Sequence, residues 1–105
     1  MGEKQFIIWL SDRDYLHVII KSEKGSVLQY VVKYISEIGD MEYEIARFDS
    51  GHDFTHIDIL RPDGTKERVI RFPYVNKESA IEYAIENFRL NFDVYRERFI
   101  KWHEQ

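Results

Sequence analysis

The side chains best suited to chemistry are concentrated in one stretch, Arg47-Phe48-Asp49-Ser50-Gly51-His52-Asp53-Phe54-Thr55-His56-Ile57-Asp58. Two of the chain's four histidines lie here, with three aspartates and an arginine. Gly51 permits a sharp turn, which would return the chain alongside itself. The two-residue period of a strand puts Arg47 and Asp49 on one face before the turn, and His56 and Asp58 on one face after it. If both strands present the same face, four polar groups converge beside a loop that carries His52.

Three arrangements fit these residues. In the first, His52 or His56 is a general acid or base, with Arg47 stabilising developing negative charge. Metal-free cleavage of RNA needs such a set, one group to activate the 2′-hydroxyl and another to protonate the leaving oxygen. In the second, His52 and His56 bind zinc or manganese with a carboxylate from Asp49 or Asp58. In the third the set is structural: Asp49 and Ser50 cap the turn, Arg47 pairs with Asp58, and the histidines are solvated.

Elsewhere the signals are weaker. His17 alternates with Leu16 and Val18 in a strand-like run and reads as a surface or half-buried residue. His103 is near the end of a helix, where a cation complements the dipole. Lys66, Arg68 and Arg71 with Arg61 would form a basic strip or simply a solvated face. The sequence has no Gly-rich phosphate loop, no nucleophile elbow and no aromatic pair of the RNA-stacking type. No cofactor is expected.

The elements that must position this stretch are antiparallel strands and one helix. Apolar runs at Tyr15–Lys21, Val27–Ile35, Tyr43–Asp49, Phe54–Leu60 and Glu67–Phe72 are separated by turn signals, among them Glu23-Lys24-Gly25, Glu37-Ile38-Gly39-Asp40 and Pro62-Asp63-Gly64. Connections this short make hairpins. Phe6–Leu10 is either a sixth strand or an extension of the first. Leu16, Val18 and Ile20 share one side, as do Leu28, Tyr30, Val32 and Tyr34, and then Ile57 and Ile59.

This apolar face needs a cover, and the C-terminus supplies it. Asn76 is a good N-cap, with Pro73 keeping the chain extended before it. From there Ile81, Ile85, Phe88, Phe92, Tyr95, Phe99 and Trp102 recur at steps of four and three, widened by Ala84. The fold class is therefore α+β: an antiparallel sheet of five or six strands with one face covered by a long C-terminal helix, in a single domain over 1–105. A helix from Lys77 to Glu104 would be roughly 40 Å long, against about 17–20 Å for a typical strand. Either it bends near Asn91, or its end overhangs and makes a homodimer through Phe99 and Trp102.

Composition narrows the class. A chain of 105 residues has room for one core. The absence of cysteine excludes disulfides, thiolate metal sites and cysteine nucleophiles. The net charge of -4 argues against a general nucleic-acid binder but leaves room for a local basic patch. Abundant Glu, Lys and Arg with scarce Asn and Gln is a thermophile-like mix. No apolar run approaches a membrane span, and Phe6–Leu10 is too short for a signal-peptide core, so a cytoplasmic protein with no membrane partner is expected.

The order of these features resembles the TumE-like toxins of prokaryotic toxin–antitoxin loci. The matching stretches are Arg47-Phe48-Asp49, His52 to Asp58, and Phe72-Pro73-Tyr74 leading into the helix, and they cover most of the chain from Val27 onward. The sequence also looks like small archaeal and bacterial domains with Arg-x-Asp followed by Gly-His and His-x-Asp. It departs from the TumE-like pattern at Asp58, where a second histidine of a His-x-His pair would stand; His52 is then the candidate for the missing member. The resemblance implies a growth-inhibiting toxin with an antitoxin protein as partner and RNA as a substrate. A non-enzymatic interaction module is the alternative.

Overall fold

The computed structural model describes residues 2–50, 55–72 and 76–104, and of 55 and 68–72 only the backbone. Six strands run β1 (Gly2–Trp9), β2 (Asp14–Glu23), β3 (Ser26–Ile38), β4 (Met41–Asp49), β5 (Thr55–Leu60) and β6 (Lys66–Phe72), followed by the helix α1 (Lys77–His103). All six lie in one sheet in chain order, each antiparallel to the next. The α+β class expected from the sequence is the observed one. Phe6–Trp9 belongs to a sixth strand rather than to an extension of the next, and Leu10 lies just past its end.

Turn chemistry explains the meander. Lys24 and Gly25 both take positive φ, 51° and 81°, which matches the twist of a two-residue hairpin. In the Pro62-Asp63-Gly64 turn, the Asp63 carboxylate accepts from the backbone N–H of Thr65 at 2.9 Å and from its hydroxyl at 2.7 Å. These bonds hold Asp63 below its ordinary value, with the Thr65 hydroxyl the largest cause.

The core lies between α1 and one sheet face. Leu16, Val18, Tyr30, Val32, Tyr34, Ala46, Phe48, Ile57 and Ile59 are buried there, facing Ala80, Ile81, Ala84, Phe88 and Phe99 of the helix. Phe88 is the centre of the contact: its ring is 5.1 Å from Phe48, 5.7 Å from Tyr34 and 5.5 Å from Tyr95. Asn76 caps the helix as expected, its Oδ1 accepting from the Ser79 N–H at 2.7 Å. Among the described residues no helix is long and apolar enough to cross a membrane.

Two expectations are corrected. Leu28 does not join the buried row of Tyr30, Val32 and Tyr34; it is 40 % exposed. A register shift between Lys21 and Ser22 leaves it as the extra residue opposite β2. The helix end does not overhang at Phe99, which is 1 % exposed and packs on Tyr43 at 5.3 Å. The reason is strand length: β3 has 13 residues and β4 has 9, so their far ends reach the last turns of the helix. Trp102 is half-buried on the same core.

Lateral cover is another matter. A helix is about 10–12 Å across, whereas six strands at about 4.8 Å spacing make a sheet roughly twice as wide. Accordingly α1 packs on β3 and β4, and Phe6, Ile8 and Ile20 toward the β1 edge are only partly buried.

Phe88→Ala should cost about 3–5 kcal/mol in urea unfolding, because it empties the centre of the helix–sheet contact. Leu90→Ala, on a residue 68 % exposed, should stay within about 0.5 kcal/mol.

Candidate functional site

Strands β4 and β5 bring the sequence candidates together on the face away from the helix. The ladder pairs Arg47 with Asp58 and Asp49 with His56. Directly opposed residues of an antiparallel pair project to the same side, and here that side is opposite to Phe48 and Ile57, which are in the core. Lys33 of β3 pairs with Arg47 from the other flank. The convergence of Arg47, Asp49, His56 and Asp58 is thus realised in the register. His52 lies outside the described residues.

The cluster divides into two ion groups. Glu44 joins the first: Arg47 donates through Nε to its Oε2 at 2.8 Å and also through Nη2, and Lys33 Nζ is 4.0 Å from its Oε1. In the second, His56 Nε2 is 3.5 Å from Asp58 Oδ1, and Lys66 Nζ is 3.4 Å from Asp58 Oδ2. Arg47 therefore bonds to Glu44 and not, as the structural reading of the sequence expected, to Asp58. The physical cause is a register shift between Tyr34 and Ile35, which leaves Ile45 as an extra residue in β4. Strict alternation would put residues 44 and 47 on opposite faces; the bulge puts them on the same one.

Exposure separates the two groups' roles. His56 is 4 % exposed and Asp58 2 %, so the expected solvated histidine is, for His56, a buried one. The Lys66 side chain is 57 % exposed and that of Arg47 34 %. A ligand approaching this face meets Lys66 and Arg47 first, with the His56–Asp58 pair beneath. Among the described residues no group of three His, Asp or Glu side chains is arranged to hold a metal ion. Ser50 is buried, and its Oγ accepts from the Tyr30 N–H at 2.8 Å and so ties the end of β4 to β3; the turn that it was expected to cap lies outside the described residues.

The remaining sequence candidates have local partners. His17 is 3.0 Å from Gln5 Oε1, and His103 Nε2 is 3.0 Å from the Tyr43 hydroxyl. The ladder sets Arg71 opposite His56 and Arg68 opposite Ile59.

A second polar cluster had no signature in the sequence. Asp14 is 4 % exposed and Ser36 and Tyr34 are fully buried. Asp14 accepts from the Tyr34 hydroxyl at 2.6 Å and from Ser11 Oγ at 2.6 Å. Arg96 reaches in from the helix, donating to Ser36 Oγ at 3.0 Å, with its Nε 3.9 Å from Asp14. Burial on its own raises the Asp14 carboxyl. Bonds from Ser11, Ser36 and Tyr34 and the charge of Arg96 outweigh it, and the group is held below its ordinary 3.8. Tyr34 is pushed up, by burial first and then by Asp14. With its carboxylate buried and its partners drawn from three elements, this cluster is a clamp joining the β1–β2 loop, β3 and α1.

The family model described as Domain of unknown function (DUF7718) matches residues 1–105. The chain belongs to that family. No curated protein and no solved structure matches it.

The Asp14 clamp makes a pH prediction. A carboxyl whose folded value lies below its unfolded one stabilises the fold above about pH 3.8, and that contribution is lost as pH falls through the folded value. Asp14→Ala should cost about 1–3 kcal/mol at neutral pH, leaving buried donors without their acceptor. Urea titrations between neutral pH and pH 2 should show a shallower acid limb in the variant than in the wild type.

Proposed function

We propose that this domain is the toxin of a toxin–antitoxin pair and acts on RNA through the polar face of β4 and β5. The observation that carries this reading is the register itself, Arg47 opposite Asp58 and Asp49 opposite His56, with the cations Lys33 and Lys66 on either flank. The order of Arg47-Phe48-Asp49, the His52–Asp58 stretch and Phe72-Pro73-Tyr74, which resembles the TumE-like toxins, supports it from the sequence side.

In this reading Lys66 and Arg47 are the first contacts of a phosphate. Arg47 already donates to a carboxylate and Lys66 is paired in charge with one, and a phosphate offers the same acceptor chemistry. His56, whose Nε2 lies 3.5 Å from Asp58 Oδ1, is the acid–base group. It takes the 2′-hydroxyl proton as the 2′-oxygen attacks the adjacent phosphorus; the bond to the 5′-oxygen breaks, and a second acid, for which His52 is the sequence candidate, protonates that leaving oxygen. Because His56 is 4 % exposed, its cover must open for the 2′-hydroxyl to reach it. The partner that restrains such an activity is an antitoxin protein.

Induced expression of the wild type in a bacterial host should arrest growth and leave RNA fragments ending in 2′,3′-cyclic phosphates. Arg47→Ala and His56→Gln should each abolish both effects. His56→Gln is preferred to alanine because glutamine keeps a donor for buried Asp58. Normal growth and intact RNA at high wild-type expression would defeat the proposal, as would full toxicity in both variants.

A further inference from the structure

Among the described residues, β1 is sparsely covered. It is an edge strand, paired only with β2, in an eight-residue register without a bulge from Gly2↔Ser22 to Trp9↔Tyr15. Its outer side therefore presents backbone N–H and C=O groups at strand spacing, a template for another strand. Its faces are open too: Ile7 is 46 % and Trp9 65 % exposed on one, and Phe6 and Ile8 are only partly buried on the other, beyond the strands on which α1 packs.

Natural edges are usually blunted by charge, proline or a bulge. Here the two charges, Glu3 and Lys4, sit in the first half of the strand, and Gln5-Phe6-Ile7-Ile8-Trp9 carries neither a charge nor a proline. Such a segment has the composition that favours strand pairing. The same uncharged stretch also chooses its occupant. Laid antiparallel on itself about a two-fold axis at Ile7, Gln5 falls opposite the partner's Trp9, Phe6 opposite the partner's Ile8, and Ile7 opposite the partner's Ile7. Odd residues stay on the open face and even residues on the helix face, as the sheet requires. Glu3 and Lys4 remain outside the paired stretch, because β1 stops at Trp9. An axis at Lys4 would oppose two ammonium groups, and one at Gln5 would set Glu3 against the partner's Ile7.

We propose that the Gln5–Trp9 edge of β1 is a homodimer interface, where a second copy of this chain adds its own β1 antiparallel about Ile7 and joins two six-stranded sheets into one. The arrangement is isologous and closes, since each copy uses its only β1 edge. It stands apart from the chemistry of the β4–β5 face and does not depend on it.

Sedimentation equilibrium of the full chain should give twice the chain mass of 12.7 kDa. Ile7→Lys and Ile7→Glu should each be monomeric, with unchanged helical circular dichroism, and mixing the two should restore the doubled mass. Ile7→Cys, in a chain without cysteine, should cross-link under mild oxidation, since opposed residues are about 4.5–5.5 Å apart at Cα. Lys4→Cys should not. A wild type that keeps the single-chain mass of 12.7 kDa at every concentration overturns the proposal. So does a dimer that Ile7→Lys leaves intact, or cross-linking by Lys4→Cys but not by Ile7→Cys.

Discussion

One contact sustains the rest of the structure: the aromatic seam of α1 on β3 and β4, with Phe88 set among Tyr34, Phe48 and Tyr95. Antiparallel meanders gain stability only when one face is removed from water. A single helix does that here, and its stripe of large side chains is nearly continuous. Because α1 covers one face only, every residue out of phase with that face is directed to the other. The polar row of β4 and β5 exists for this reason. It is the far side of the strands that hold Phe48 and Ile57 in the core.

The same seam accounts for what is left open. A helix covers about two strands' width, so shelter declines toward β1, where Phe6 and Ile8 on the helix face are only partly buried. The seam is also pinned at the side. Arg96 turns inward to Ser36 and Asp14 and, with the Tyr34 hydroxyl, gives the buried Asp14 carboxylate its partners. A buried charge is tolerable only when so satisfied. This clamp fixes where the β1–β2 hairpin meets the helix.

On the open face one extra residue in β4 decides which charges meet. Had β4 alternated without interruption, Arg47 would have had Asp58 as its natural cross-strand partner. The bulge at Ile45 brings Glu44 onto the same side, and the guanidinium takes it. Asp58 is left to His56 and Lys66. The functional reading changes accordingly, from an arginine beside the histidine to a buried histidine–aspartate pair with cations at the surface above it.

The chain's local patterns were enough to specify the strand-and-helix order, the hairpins, the helix stripe and the shared face of Arg47, Asp49, His56 and Asp58. Each follows from a period of two or three to four residues and from short turns, which are properties of adjacent residues. Tertiary structure alone decided the bulge at Ile45, the inward turn of Arg96, the burial of His56 and the cover over Phe99. These depend on how strands of unequal length align and on how wide a sheet one helix can shelter. Such quantities are set by packing between distant segments, and no periodicity along the chain encodes them. The opening stretch of chemistry was therefore legible as a place, while its ion pairs and its accessibility were not.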